Sequence, residues 1–144
     1  MLKGIPKIIS PELLKVLCEM GHSDTIVLAD GNFPVESIGK NLKVIRADGH
    51  NITDLLEAIL KLFPLDTYVE KPVSLMQVMP GDNVETPIWD EYKKIVSKAD
   101  ERGEEAFQEV ERFKFYEEAK KAYAVVATSE TALYANMILQ KGVI

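Results

Sequence analysis

A single cysteine, Cys18, is present. One thiol excludes an internal disulfide, a cysteine-rich metal cluster and a redox pair. Cys18 lies in an apolar helical stretch, where it is expected to be a small buried hydrophobe. No apolar run approaches the ~18 residues of a membrane span. Met1 to Pro6 is too short and too broken for a signal peptide, so the cytosol is the expected location. Basic residues are in the minority, 17 Lys+Arg against 23 Asp+Glu, for a net charge of −6. That balance argues against nucleic acid, which needs a basic surface to displace counterions, and against an anionic membrane surface. Also missing are a G-x-G-x-x-G dinucleotide turn, a phosphate-cradling G-x-x-x-x-G-K-[ST], an H-E-x-x-H metal helix and a G-x-S-x-G nucleophile elbow. Internal repeats, low-complexity tracts and linkers are absent too.

What remains is 144 residues, 47% hydrophobic and 28% charged, the mixture of one globular domain spanning 1–144. Ser10-Pro11-Glu12 starts a helix: an N-cap, a first-turn proline and an acid facing the dipole. Leu13, Leu14, Leu17 and Met20 follow at helical spacing, and Gly21 fits the C′ position that ends the helix. Thr25 to Ala29 reads as a buried strand, and Asp30-Gly31-Asn32 as the turn after it. Lys43 to Arg46 is a second short strand. A helix with Ile52, Leu55, Leu56, Ile59 and Phe63 on its apolar face stops at Pro64. Val73 to Met79 is a third strand, and Thr86-Pro87 opens another helix. Glu109 to Arg112 is expected to be extended, Phe113 to Ala122 helical, Tyr123 to Ala127 a strand, Thr131 to Tyr134 a short helix and Met137 to Gln140 a last strand. Strands alternating with helices predict an α/β fold, a mainly parallel sheet flanked by helices in three layers. In such sheets ligands sit beyond the carboxyl ends of the strands.

The chemistry must then run on histidine, carboxylate and tyrosine. Histidine exchanges protons near neutral pH. His22 follows the first helix, where it could equally cap the last carbonyls; His50 reads as a solvated loop residue. Asp30 could accept two sugar hydroxyls or cap its own turn. Arg112 could bind an acceptor or sit in a surface ion pair worth about 0–1 kcal/mol. Tyr134 and Asn136 together suit a polyol, as would many loops.

Four segments in order carry a resemblance. They are Ser10-Pro11-Glu12-Leu13-Leu14 through Glu19-Met20-Gly21-His22; Asp24 through Asp30 with Phe33-Pro34; Ile45-Arg46-Ala47-Asp48-Gly49; and Tyr134-Ala135-Asn136 running into Lys141-Gly142-Val143. Across nearly the whole chain this set resembles the L-fucose mutarotase and D-ribose pyranase family. Arg46-Ala47-Asp48-Gly49 and Arg112 to Glu117 favour the fucose branch, although Gly31-Asn32 stands where familiar fucose members carry Ala-His. The resemblance implies a proton-donating His22, with Asp30, Arg112, Tyr134 and Asn136 binding the sugar. It implies a monosaccharide substrate, L-fucose, with no cofactor and no metal. It also implies a ring-shaped homo-oligomer, often a decamer, with sites near subunit contacts. The base is open among Tyr134, Asp30 and a water. The rival readings are a D-ribose pyranase, a monosaccharide-binding protein without catalysis, and an assembly subunit that binds no sugar.

Overall fold

The computed structural model describes residues 1–144. Its helices are α1 (Pro11–Glu19), α2 (Val35–Ile38), α3 (Ile52–Leu60), α4 (Pro87–Ala99) and α5 (Arg112–Ala119). Its strands are β1 (Thr25–Ala29), β2 (Lys43–Ala47), β3 (Val73–Met76), β4 (Phe107–Val110), β5 (Ala124–Thr128) and β6 (Met137–Gln140). They form one six-stranded sheet in the order β2-β5-β1-β6-β3-β4. Every strand runs parallel to the others except β6, which lies antiparallel between β1 and β3.

The central strands are buried on both faces, which is why they read as unbroken apolar runs. Along β1, Ile26 and Leu28 join a core under α1, α3 and α4, while Val27 and Ala29 join a second core under α2 and α5. In β5, Ala124 and Val126 face the first core and Val125 and Ala127 the second. This period-2 alternation gives the expected three-layer arrangement. No helix is long and apolar enough to cross a membrane.

Local signals held where capping groups were near in sequence. The Ser10 side chain accepts the Leu13 N–H at 3.1 Å, and the Asn51 side chain accepts that of Asp54 at 2.8 Å. Gly21 follows the C-cap Met20, at the position expected of it; the positive φ of this connection is at Ser23, 73°, and the carbonyls of Leu17 and Met20 accept from Lys141 Nζ at 2.8 and 2.5 Å. Three expectations need correction. Cys18 is exposed, because α1 buries Leu13, Val16 and Leu17 and turns the next position outward. Arg112 begins α5 rather than ending a strand, since the Glu111 carboxylate caps the helix by accepting from Phe113 and Lys114. Thr131 to Tyr134 forms no helix; Tyr134 adopts φ 54°, outside the right-handed helical region. The short α2 was not anticipated from the sequence.

Candidate active site

The antiparallel insertion of β6 builds the site. Its register pairs Met137 with Leu28 and Gln140 with Thr25. The segment that precedes β6 therefore arrives at the carboxyl end of β1, where a parallel sheet leaves a crevice. Tyr134 and Asn136 meet Asp30 there. Asn136 Oδ1 accepts the Asp30 backbone N–H at 2.7 Å. Two further hydrogen bonds fix this segment from α4: Trp89 Nε1 donates to the Tyr134 carbonyl and the Tyr92 hydroxyl to the Ala135 carbonyl, both at 2.8 Å.

Asp30, Arg112, Tyr134 and Asn136 line one cleft of about 360 Å³, with Asn32, Phe33, Met76, Asp82 and Tyr116 on its walls. That volume suits a small ligand. Asp30 is 5% exposed and does cap its own turn, accepting from the Asn32 N–H at 2.9 Å. Burial pushes its carboxyl above the ordinary carboxylate range, partly opposed by backbone donors. The Arg112 guanidinium lies over the rings of Tyr116 and Phe113 at 5.7 and 5.8 Å. It makes none of the protein's salt bridges, and the Tyr116 hydroxyl beside it raises its proton affinity.

Asp82 was not found by sequence reasoning. Met79-Pro80-Gly81-Asp82 is a tight turn closed by the Asp82 N–H on the Met79 carbonyl at 3.0 Å, with Gly81 at φ 93°; proline followed by a positive-φ glycine is the type II signature. The turn grips the Tyr134 phenol, which donates to the Asp82 carboxylate and accepts the Met79 N–H at 3.2 Å. The Asp82 hydrogen bond raises the phenol's proton affinity. The Pro-Gly-Asp turn after a strand was the available signal.

His22 is not in this cleft. It lies before β1, at the sheet's other end, so the whole strand, five residues and about 13 Å from end to end at the usual rise, lies between it and Asp30. It caps no helix. Its Nε2 faces Asp66 Oδ1 at 3.1 Å and its ring packs on Tyr68 at 4.8 Å between centroids. His50 is exposed, as expected for a loop histidine. No three His, Cys, Asp or Glu side chains are placed to hold a metal ion.

The cleft lies at the carboxyl ends of a largely parallel sheet and sets a carboxylate, a guanidinium, a carboxamide and a phenol among apolar side chains, so it offers a small ligand both hydrogen-bond donors and acceptors. The chain belongs to the RbsD / FucU transport protein family, whose model matches residues 3–144. It is 56% identical to the fucose mutarotase of Homo sapiens, over 99% of this chain and 94% of that protein. Among solved structures it is similar to FucU from Bifidobacterium longum, with TM-score 0.97 and 64% identity. It is also similar to the fucose mutarotase of Streptococcus pneumoniae in complex with L-fucose, with TM-score 0.92 and 50% identity. Both superpositions cover 99% of each chain.

Proposed function

We propose that this protein is a cofactor-free mutarotase that interconverts the α and β anomers of L-fucose. The observation that carries the reading is the convergence of Asp30, Arg112, Tyr134 and Asn136 on one cleft, in a chain this close to fucose mutarotases.

Mutarotation needs one proton removed and one supplied. O1 of the hemiacetal loses its proton, the C1=O1 double bond forms, the bond from C1 to the ring oxygen breaks, and the ring oxygen takes up a proton. The free aldehyde turns about its bond to C2 and closes on the other face by the reverse steps. Nothing is oxidised or reduced. Arg112 and Asn136 hold the hydroxyls, and the Tyr134 hydroxyl or ring supports the sugar. Asp30, whose proton affinity burial has raised, accepts the O1 proton, because a base works best when its pKa approaches the working pH. His22 donates to the ring oxygen.

One subunit cannot bring His22 to its own cleft, since the two lie at opposite ends of β1. We therefore place His22 of one subunit at the mouth of a neighbour's cleft, within a ring whose implied size is a decamer. Exposed apolar residues at both half-sites support this: Tyr68, 74% exposed, beside His22, and Phe113 and Leu133 beside the cleft. The cytosol is the proposed location, supported by the lone thiol.

Saturation-transfer proton NMR between the anomers of L-fucose tests the function, with D-ribose run beside it. Exchange that appears only with protein, and is stronger on fucose, is expected. Exchange on ribose alone would move the assignment to a pyranase, and acceleration of neither sugar would refute catalysis.

A further inference from the structure

A second polar cluster occupies the amino end of β1, and its centre is Asp66. The Asp66 side chain is 1% exposed, whereas that of His22 is 39% exposed. Three donors converge on the buried carboxylate. Oδ1 accepts the Tyr68 N–H at 2.9 Å and faces His22 Nε2 at 3.1 Å, and Oδ2 accepts Gln140 Nε2 at 2.9 Å. The Asp66 N–H donates in turn to the Gln140 carbonyl at 3.0 Å. The carboxylate is thus clamped between the loop after α3 and the end of β6. Burial alone would push this carboxyl up, but the three donors outweigh it and hold the group below its usual range.

An ionised carboxylate has no proton to donate. The hydrogen between the two groups must therefore sit on His22 Nε2. In the neutral ring Nδ1 is then the free acceptor, and in the cation it is the donor left for a ligand. The Tyr68 ring, tilted 45° against the imidazole, restricts its rotation. A surface histidine that needed only solvation would require neither a buried anion nor a packed aromatic.

We infer that Asp66 is a positioning residue, which fixes His22 as the Nε2–H tautomer and presents Nδ1 as the atom that exchanges the proton with the sugar. The inference rests on the reading of His22 as the proton donor. Asp66 touches no substrate and acts only through the imidazole. It holds the ring in place as orienting carboxylates do behind other functional histidines.

The test uses protein labelled with 15N-histidine, with the His22 signals assigned by comparison with His22→Gln. Long-range 1H–15N correlation reads the tautomer directly, and fucose exchange supplies kcat and KM. Wild-type His22 is expected to carry its neutral-state hydrogen on Nε2. An asparagine can turn either its oxygen or its nitrogen to the ring, so Asp66→Asn should give a tautomer mixture. It should also lower kcat about 10–100-fold while KM stays unchanged. A wild-type hydrogen on Nδ1 would overturn the inference, and that half of the test needs no variant to fold. Unchanged kcat in folded Asp66→Asn, beside an inactive His22→Gln, would overturn the positioning role and leave His22 as donor. Wild-type exchange by His22→Gln would overturn both.

Discussion

Asp30 is under two opposed demands. In the proposed mechanism its carboxylate meets the sugar, yet it is held at 5% exposure against the Asn136 segment. Burial raises its pKa. A carboxyl whose folded pKa lies above its unfolded value favours the folded state most when protonated. Its contribution is present below the ordinary carboxylate pKa and is lost as pH rises through the raised value. Asp30→Asn keeps an oxygen for the Asn32 N–H and removes the buried charge. The variant is therefore expected to unfold at a higher temperature than wild type at neutral pH. The gap should close toward about pH 3–4, and fucose exchange should be lost. Thermal scans at the two pH values check this; a variant less stable at neutral pH would contradict the assigned burial cost. At this scale the sequence displays residue types and not their partners. Asp30 and Arg112 stood out as candidates, but Asp66 and Asp82 did not, because their roles depend on His22 and Tyr134, 44 and 52 positions away. Cys18 misled for a related reason: apolar neighbours along the chain do not fix which side of α1 faces water.

Among the elements, α4 is the one that sets the site's geometry. Its Trp89 and Tyr92 hold consecutive carbonyls of the segment carrying Tyr134 and Asn136. Tyr92 is fully buried, and burial drives its phenol pKa far up, so it remains a donor at every working pH. Tyr92→Phe leaves the Ala135 carbonyl without that partner, at a cost of about 1–3 kcal/mol. Urea unfolding should report the loss through a lower midpoint at unchanged slope, and KM for fucose should rise as Asn136 loses its register. An unchanged midpoint would mean that α4 does not hold the segment. Elements with local signals were legible: α1 from Ser10-Pro11, α3 from its apolar stripe, α4 from Thr86-Pro87, and β1 and β5 from their apolar runs. The misses lie where distant groups satisfy the backbone. Lys141 takes the carbonyls at the end of α1 that His22 could have capped. Trp89 and Tyr92 hold the Tyr134 and Ala135 carbonyls from α4, a partnership that the residues around 131–134 do not display. The segment after β6 also depends on a close backbone approach: a Cβ on Gly142 would lie 2.6 Å from the Leu65 carbonyl oxygen, so only glycine fits.

For the whole molecule, alternation of strands and helices was enough to predict three layers and a mainly parallel sheet. It could not show that β6 runs antiparallel through the middle, since strand direction leaves no mark on composition. That one reversal brings Tyr134 and Asn136 to Asp30 and leaves Gln140 and Lys141 with His22 at the other end. The separation of His22 from the cleft is the strongest argument that the working unit is an assembly. The most direct test mixes two defective subunits, His22→Gln and Asp30→Asn, each expected to be inactive alone. Co-assembled in equal amounts, they should form shared sites that pair a wild-type His22 with a neighbour's wild-type cleft. Statistically this restores about a quarter of wild-type fucose exchange. A mixture as inactive as its components, in oligomers shown to contain both chains, would contradict the two-subunit site.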